Sequence, residues 1–287
     1  MQNDTILGQY IPLHYHYQML ADEARLEGFK AALEFLVPKD GAVLDLGSGT
    51  GVLSFFAAQK AARVYGVERL PDLVHCSQKL LVENGLTDKV EICEGDARTY
   101  LPPEPVDVVV CEMLHAGLLR EKQLEILYDF KVRYRKKFDD KLPMFIPFAT
   151  VLGVEPIFAE FSFQGFEAPL PLFESFEAPS SRFLSLAEAI PFELIEYGQD
   201  FPLTIAFDQP LTIQAVGHFN ALRFITKNVL SVDVKTETAI DWMNQNLIIP
   251  ISNPIDTCEE DQFHISFAYK AGSDIRTLQE SIKVSKI

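Results

Sequence analysis

A glycine-rich segment near residue 50 is the feature that most constrains the fold of this chain. It reads VLDLGSGTG over residues 43–51, and a helical pattern from Val52 to Ala62 follows it. A buried strand that runs into Gly-x-Gly-x-Gly lets the backbone approach a ligand closely, and the next helix offers free N–H groups at its N-terminus. The segment therefore predicts a nucleotide-like cofactor. Dinucleotide-binding folds usually spell this loop Gly-x-Gly-x-x-Gly, so the earlier third glycine argues against NAD.

The two parts of the chain have different hydrophobic patterns. Up to about Ile146, helical patterns alternate with continuous apolar runs at 42–46, 63–67, 90–92 and 106–110. This alternation predicts an α/β fold with a doubly wound, mostly parallel, Rossmann-like sheet. After Pro147 the apolar residues alternate with period two, above all over 263–269. That pattern predicts an antiparallel β-barrel or sandwich, with one helical insertion around 185–189. We expect two domains, residues 1–146 and 147–287.

Charge and cysteine content limit the partners and the compartment. The 287 residues hold 25 Lys and Arg against 41 Asp and Glu, a net charge of -16. Most of this excess falls after residue 146, where 8 basic residues face 19 acidic ones. Such a surface repels nucleic acid and attracts cationic partners. The four cysteines show no paired spacing, and neither a secretory signal nor an apolar run of 18 residues is visible, so a cytoplasmic location without a membrane contact is expected.

Acidic residues follow the second and third predicted strands. Glu68 ends the second strand, where a carboxylate can accept hydrogen bonds from both hydroxyls of a ribose. The third strand leads into Gly95-Asp96-Ala97, well placed for the edge of an adenine. Because carboxyl ends of parallel strands meet at one edge of a sheet, these residues and the glycine segment should share one site.

Together, VLDLGSGTG, Glu68 and Gly95-Asp96-Ala97 resemble the cofactor site of class I S-adenosylmethionine-dependent methyltransferases. The resemblance implies S-adenosyl-L-methionine as cofactor and S-adenosyl-L-homocysteine as product. It implies that the glycines pass under the methionine part, that Glu68 binds the ribose and that the Asp-Ala pair meets the adenine. In this part of the chain it implies the following cofactor-binding residues: Asp45, Gly47, Ser48, Gly49, Gly51, Glu68, Arg69, Asp96 and Ala97.

Residues 16–25, HYQMLADEAR, resemble the H-x-x-M-L-x-D-x-x-R helix of protein arginine methyltransferases. By that resemblance Arg25 binds the methionine carboxylate of the cofactor, Met19 packs by its sulfonium, and Asp22 belongs to the substrate pocket. An arginine suits the first role, because its rigid guanidinium fork matches a carboxylate.

Residues 111–121, CEMLHAGLLRE, follow the fourth strand and resemble the double-glutamate loop of the same family. The resemblance makes Glu112 and Glu121 the catalytic residues, with Glu112 also at the cofactor. Two carboxylates can hold the N–H groups of a guanidinium and orient one nitrogen for methyl transfer. His115, inside the loop, is placed in the substrate pocket, either as a proton acceptor or as a plain hydrogen-bonding residue.

Two positions depart from the family pattern. The aromatic Y-F-x-x-Y segment retains only Tyr10, and Ile240-Asp241-Trp242 stands where the family has Thr-His-Trp. Tyr10, Asp241 and Trp242 are assigned to the substrate pocket by this resemblance. If Asp22 and Asp241 are adjacent, one must be protonated, separated or bound to a cation. The dimerisation arm of the family corresponds to some part of 173–191 and implies a homodimer.

The predicted function is methyl transfer to a guanidinium nitrogen of arginine in a basic protein or peptide. Two alternatives stay open: a methyltransferase acting at N or O of a small molecule, such as a cationic one, and a non-catalytic homologue that only binds the cofactor. We expect no metal site at His14 and His16, for want of a third ligand nearby. The basic run over 131–137 is interpreted as the solvated face of a helix rather than a nucleic-acid patch.

Overall fold

The computed structural model describes Ile11 and residues 13–287, so Tyr10 lies outside the described residues. Within that part of the chain, the first half forms one parallel sheet flanked by helices. Its strands stand in the order β3-β2-β1-β4-β5. The order reverses beside β1, and ligands of doubly wound sheets bind at such a reversal. The strands are β1 (Ala42–Leu46), β2 (Arg63–Glu68), β3 (Val90–Glu94), β4 (Val108–Cys111) and β5 (Met144–Ile146).

The central strands are buried because helices cover both faces of the sheet. Val43, Leu44 and Leu46 are fully enclosed, as are Val108 to Val110 on the neighbouring strand. This explains their continuous apolar runs. The helices are α1 (Leu13–Ala21), α2 (Glu23–Leu36), α3 (Val52–Ala58), α4 (Pro71–Glu83) and α5 (Gln123–Lys137), with a single 3₁₀ turn at Ala116–Leu118.

The second half of the chain is built from antiparallel strands. A seven-stranded sheet contains the path β10-β6-β13-β15-β9, with β11 paired to β6 and β14 paired to β13. A second sheet has the order β12-β16-β17, and β7 pairs with β8. These strands are β6 (Ala149–Ala159), β7 (Ser162–Phe163), β8 (Phe166–Glu167), β9 (Leu172–Glu174), β10 (Phe183–Ser185), β11 (Ile190–Glu196), β12 (Thr204–Thr212), β13 (Gly217–Asp233), β14 (Thr238–Met243), β15 (Asn246–Thr257), β16 (Gln262–Lys270) and β17 (Lys283–Lys286), and α6 (Ile275–Ser281) precedes the last.

The predicted fold class is confirmed: a doubly wound parallel sheet precedes antiparallel sheets. One buried hydrophobic cluster runs through both, from Phe29 on α2 to Phe267 on β16. The antiparallel part therefore shares one core with the parallel sheet and its helices, and α2 packs against β13 and β14. Among the described helices, none has the length and hydropathy needed to cross a membrane.

The prediction of a helix around 185–189 is wrong. β10 ends at Ser185, and the following residues have no helical structure. Leu186 N donates to Pro156 O at 3.0 Å, and Leu186 O accepts from Gln214 N at 2.8 Å. Both backbone polar groups of Leu186 therefore bond to residues far from it along the chain. Its side chain is buried. With backbone and side chain both committed to the sheets, the segment cannot form the local hydrogen bonds of a helix.

Two helix expectations also need correction. The helix after the glycine segment ends at Ala58 rather than Ala62, because Ala62 donates its N–H to Gly41 O next to β1.

The basic run on α5 is not uniformly solvated. Lys131 is buried, and its Nζ donates to Tyr197 O at 3.1 Å and to Gln199 O.

Candidate active site

The glycine loop after β1 is tied to the end of β2. Gly47 N and Ser48 N both donate to Val67 O, at 2.9 and 3.0 Å. Gly47 and Gly49 have φ of 78° and 54°, in the left-handed region that favours glycine. A Cβ at Gly49 would come within 3.2 Å of the His16 ring. The loop therefore needs glycine both for its backbone conformation and for the close approach of α1.

A cavity of about 790 Å³ opens at the carboxyl ends of β1 and β4. Its volume is in the range of small-molecule sites. The glycine loop and the ends of β2, β3 and β4 contribute to it, as do the junction of α1 with α2 and two segments of the antiparallel part. The predicted site residues that line it are Met19, Asp22, Arg25, Gly47, Ser48, Gly49, Glu68, Arg69, Asp96, Ala97, Glu112, Glu121 and Trp242.

Glu68 is fixed at the end of β2 by two backbone donors. Its Oε2 accepts from Gly49 N at 3.1 Å and its Oε1 accepts from Leu70 N at 2.9 Å. A carboxylate offers about four acceptor positions, so each oxygen keeps capacity for a further donor. Asp96 is held differently: Arg98 binds both its oxygens, with Nη2 to Oδ2 at 2.5 Å, and these hydrogen bonds keep the pKa of Asp96 below its usual range. Both groups place negative charge on the cavity wall.

Asp45 and Gly51, predicted to bind the cofactor, lie outside the cavity wall. Asp45 is buried and accepts from Ser54 Oγ at 2.7 Å, so it joins β1 to the first turn of α3. Burial raises the pKa of Asp45 to about 7. Gly51 precedes α3 and packs on α4, where a Cβ would come 3.3 Å from Ser77 Cβ. Both residues shape the loop from beneath.

The predicted helix over 16–25 is two helices that meet at Asp22. Asp22 Oδ1 accepts from Arg25 N at 2.9 Å and so caps the N-terminus of α2. Arg25 is buried, and its Nη1 donates to Met19 O at 3.0 Å. Its Nη2 forms a hydrogen-bonded ion pair with Glu112 Oε2. The junction therefore brings a guanidinium from α2 onto the first glutamate of the loop after β4.

Glu121 lies near Glu112. Within residues 11 and 13–287, no group forms a hydrogen bond or salt bridge with the carboxylate of Glu121. Burial raises the pKa of Glu121 to about 8, the negative charge of Glu112 adds to the shift, and Arg25 and Arg120 oppose it. The two glutamates thus differ in state: Glu112 is neutralised by a cation, whereas Glu121 is favoured in its protonated form at neutral pH.

The loop from Glu112 to Glu121 is held by the antiparallel sheets. Thr226 Oγ1 on β13 accepts from Gly117 N at 2.8 Å, and Tyr269 O–H on β16 donates to Gly117 O at 2.8 Å. Asn244 Nδ2 donates to Leu114 O at 2.9 Å. Farther along, Gly272 N donates to Leu118 O and Arg120 N donates to Ser273 O, both at 2.8 Å. Backbone groups on both sides of the 3₁₀ turn are therefore satisfied from the second half of the chain.

Sequence reasoning missed these supporting residues. Gln123, at the start of α5, donates to Cys111 O at 2.9 Å and accepts from Met113 N at 3.0 Å, which fixes the residues on either side of Glu112. In the sequence, the one indication of this role is that Gln123 lies two residues after Glu121. Thr226, Asn244 and Tyr269 carry no motif, and their roles depend on pairings more than 100 residues apart along the chain.

His115 and Asp241 are not brought into the cavity. His115 Nδ1 lies 3.0 Å from Ala116 O and its ring packs edge-on against Phe173, and burial lowers the pKa of its imidazole. Asp241 Oδ2 pairs with Lys227 Nζ at 2.5 Å. The expected conflict between Asp22 and Asp241 is thus resolved by a cation on Asp241. Trp242 does line the cavity and packs against Phe29 of α2.

His14 and His16 both lie on α1, two positions apart, which places them on different sides of the helix. Among the described residues, no group of three His, Cys, Asp or Glu side chains is arranged to hold a metal ion. His16 instead faces the glycine loop.

Comparisons with known proteins agree with this architecture. Residues 43–131 match the family model described as a methyltransferase domain. An uncharacterised protein of Methanothermobacter thermautotrophicus is 30% identical over 268 residues, 93% of this chain and 97% of that protein. Protein arginine N-methyltransferase 2 of Mus musculus is 36% identical over 134 residues, 44% of this chain and 29% of that protein.

Solved structures extend the likeness to the fold of the whole chain. The heterotetrameric PRMT1 enzyme–prozyme complex of Trypanosoma brucei with AdoHcy matches with a TM-score of 0.72 and 18% identity, over 95% of this chain and 97% of that one. Protein arginine methyltransferase 10 of Arabidopsis thaliana matches with a TM-score of 0.74 and 16% identity, over 89% and 87%. The fold and the matched domain define a methyltransferase. Over residues 43–131 the chain carries a methyltransferase domain, and it resembles the class I S-adenosylmethionine-dependent methyltransferases and, in its overall fold, the protein arginine methyltransferases.

Proposed function

We propose that this methyltransferase uses S-adenosylmethionine to methylate a guanidinium nitrogen of arginine in a basic protein or peptide. One observation carries the proposal: Glu112 already binds a guanidinium, that of Arg25, in a cavity that a second glutamate also lines. The cavity wall beside the glutamates therefore has the charge and the acceptors that an arginine side chain needs. The likeness over 134 residues to protein arginine N-methyltransferase 2 of Mus musculus supports the same reading.

The residues at the glycine loop fit the proposed cofactor. Ser48 Oγ is buried at the cavity wall without a hydrogen-bond partner among the described residues, and such a group normally has one. Glu68 keeps acceptor capacity for ribose hydroxyls, Asp96 and Ala97 form the adenine end, and Arg25 is the cation for the methionine carboxylate. When bound, S-adenosylmethionine supplies an electrophilic methyl group on a sulfonium.

The two glutamates would hold and orient the substrate. Both carboxylates would accept hydrogen bonds from the N–H groups of the guanidinium and so fix its plane, with one nitrogen directed toward the methyl position. Their negative charge favours the electron density on that nitrogen. In the transfer that the cofactor would supply, the methyl carbon would bond to the nitrogen as its bond to the sulfonium sulfur breaks, and the nitrogen would lose a proton. The Glu121 carboxylate, which a bound guanidinium keeps ionised, can accept that proton.

Transfer of radiolabel from S-adenosylmethionine tests this function. We expect label on arginine in a library of basic peptides, and large losses of kcat in both Glu112→Gln and Glu121→Gln, with cofactor affinity in Glu121→Gln unchanged. Gln keeps the size of Glu but removes the charge that the guanidinium requires. Glu188→Gln, an exposed glutamate away from the cavity, is the matched control.

The same experiment separates the alternatives. Label that appears only on small molecules from a metabolite extract would assign a small-molecule N- or O-methyltransferase. Binding of S-adenosylhomocysteine by calorimetry without any transfer of label would assign a non-catalytic homologue. Unchanged turnover of an arginine peptide in both glutamate variants would refute the guanidinium role.

We also propose that the chain divides at residue 146 into a cofactor-binding domain (1–146) and a substrate domain (147–287), and that it forms a homodimer in the cytoplasm. The change from parallel to antiparallel sheets at Pro147 supports the division. The heterotetrameric assembly of the trypanosomal relative and the exposed Phe163, Phe166 and Leu170 of this chain support self-association. Sedimentation equilibrium measures the state, and a monomer at all concentrations would contradict it.

A further inference from the structure

A short segment of the antiparallel part, Ser175–Glu177, lines the same cavity as the two glutamates. It follows β9 directly. The sequence analysis places it only within residues 173–191, some part of which corresponds to the family's dimerisation arm. The end of β14 and the turn that follows it, residues 242–245, also line the cavity, and β15 after that turn pairs with β9. The segment is therefore part of the cavity wall that the antiparallel part contributes.

The segment is anchored by a buried network at its base. Glu174 Oε1 accepts from Ser180 N at 3.1 Å, which closes the loop over 175–179. Glu174 Oε2 lies 3.0 Å from Arg223 Nε and accepts from Asn246 Nδ2 at 3.3 Å. Arg223 in turn pairs with the buried Glu155 at 2.5 Å. A buried charge network is costly unless its members are paired, and here it holds one loop at the edge of the cavity.

The two outer residues of the segment, Phe176 and Glu177, have exposed side chains. Phe176 is 49% exposed although it lines the cavity. Glu177 makes no hydrogen bond or ion pair within the described part of the chain. An aromatic ring beside a carboxylate is suited to a cationic side chain with an aliphatic stem, because the ring covers the stem and the carboxylate pairs with the charge.

The charge of the cavity wall points to the same kind of ligand. Seven carboxylates line it against the cations Arg25, Arg69 and Lys122. Of these cations, Arg25 is paired with Glu112 and Lys122 with Glu125. The carboxylates are Asp22, Glu23, Glu68, Asp96, Glu112, Glu121 and Glu177. Glu121 favours its protonated form and Asp96 is paired with Arg98, so Asp22, Glu23, Glu68 and Glu177 supply the excess, which lowers the free energy of a bound cation.

We propose that Phe176 and Glu177 form a second binding site for the substrate, which takes a lysine or arginine side chain near the arginine that is methylated. The inference rests on the proposed function, because the Glu112–Glu121 pair accounts for one guanidinium only. Glu177 belongs to a different part of the chain and serves a second cation. A peptide with two basic side chains meets both sites, whereas a single small amine meets one.

Equilibrium binding tests the second site without relying on turnover. Fluorescently labelled peptides with one arginine, and with one added lysine at each neighbouring position, are titrated into the full chain loaded with S-adenosylhomocysteine. We expect one lysine position to tighten binding about threefold to fivefold at low ionic strength, the range for an exposed ion pair. Glu177→Gln should abolish this gain and Phe176→Ala should reduce it. Glu188→Gln removes one charge elsewhere and should keep the gain.

The outcomes of binding and turnover are distinct. Equal gains in the wild type and in Glu177→Gln would overturn the second site, even if arginine is methylated. A gain that depends on Glu177, without label transfer to any of these peptides, would support the second site and count against arginine methylation. Absence of any gain from an added lysine in the wild type would also overturn the second site. Because Glu177 is exposed, folding of its variants is checked simply by an unchanged melting temperature.

Discussion

At the scale of single residues, the ionisation of Glu121 makes peptide binding depend on pH. Its pKa of about 8 means that the side chain carries a proton at pH 7 in the free protein. A bound guanidinium favours the carboxylate, so binding below pH 8 should release a proton, and affinity should increase from pH 6 to pH 8. Calorimetric titration of an arginine peptide in two buffers of different ionisation enthalpy measures the released proton.

The control for this prediction is Glu121→Gln, which has no proton to release at that position. We expect proton release in this variant to fall by most of one proton per peptide, with a flatter pH dependence. Equal proton release in both proteins would show that another group titrates.

The pairing of Arg25 with Glu112 shows what a sequence can predict about a single residue. The motif over 16–25 predicts a buried arginine at the cofactor, and the structure places Arg25 in the cavity wall. Its partner is 87 residues away along the chain. No spacing rule connects them, because the contact depends on how α2 packs over the end of β4. Residue type was predictable here, whereas the ion pair required the tertiary structure.

At the scale of secondary-structure elements, Asp22 and Asp274 offer a matched pair of helix caps. Asp22 Oδ1 accepts from Arg25 N at 2.9 Å and Asp274 Oδ1 accepts from Arg276 N at 3.0 Å. Replacing either by Ala should lower the free energy of unfolding by about 1 kcal/mol. Only Asp22→Ala should also weaken cofactor binding, because its helix presents Arg25 to the cavity. Urea unfolding and calorimetry with S-adenosylhomocysteine measure the two effects.

Asp22→Asn separates capping from charge, since asparagine caps helices about as well as aspartate. Stability should recover in this variant, and cofactor affinity should recover with it if the cap is what matters. Loss of affinity in Asp274→Ala to the same degree would contradict a local role for Asp22.

The hydrogen bonds between the antiparallel sheets and the double-glutamate loop predict a second effect at the scale of secondary-structure elements. Tyr269→Phe leaves the buried Gly117 carbonyl without its donor, which should cost about 1 to 2 kcal/mol of stability. We expect kcat to fall while the affinity for S-adenosylhomocysteine is retained, because the loop that positions the glutamates loosens and the glycine loop does not. Steady-state kinetics and calorimetry check this.

Tyr128→Phe provides the comparison, because this tyrosine is exposed on α5. Its stability should stay within about 0.5 kcal/mol of the wild type, with the same kcat. Normal kcat in Tyr269→Phe, despite lower stability, would show that the hydroxyl supports the fold and not the position of the glutamates.

The helix that was wrongly expected at 185–189 shows the limit of local patterns. Its residues have acceptable helix propensity, but Leu186 hydrogen-bonds to Pro156 of β6 and to Gln214 in the loop between β12 and β13, and its side chain enters the core. Tertiary hydrogen bonds and burial outweigh a weak local preference in so short a segment. By contrast, α2 and α4 are long and periodic, and both form where the pattern places them.

At the scale of the whole molecule, the sequence specifies the two kinds of sheet but not how they meet. Continuous apolar runs predict the parallel strands, and alternation predicts β16. Nothing local predicts that Thr226 and Tyr269 reach the 3₁₀ turn, or that Ser175–Glu177 reaches the cavity. These contacts arise where one core joins both parts, and they complete the candidate site.

The charge of the whole molecule leads to a prediction about rates. A net charge of -16, with a predominantly acidic cavity wall, should attract basic peptides over distances that salt screens. We expect kcat/KM for a basic peptide to fall several-fold between about 0.02 M and about 0.5 M salt, as the Debye length shortens from about 20 Å to about 4 Å. The value of kcat at saturating peptide should change little, because screening acts on encounter and not on the bound complex. Affinity for S-adenosylhomocysteine, a ligand without large net charge, is the internal control. If kcat/KM does not depend on salt while that affinity holds constant, the acidic surface does not steer the substrate.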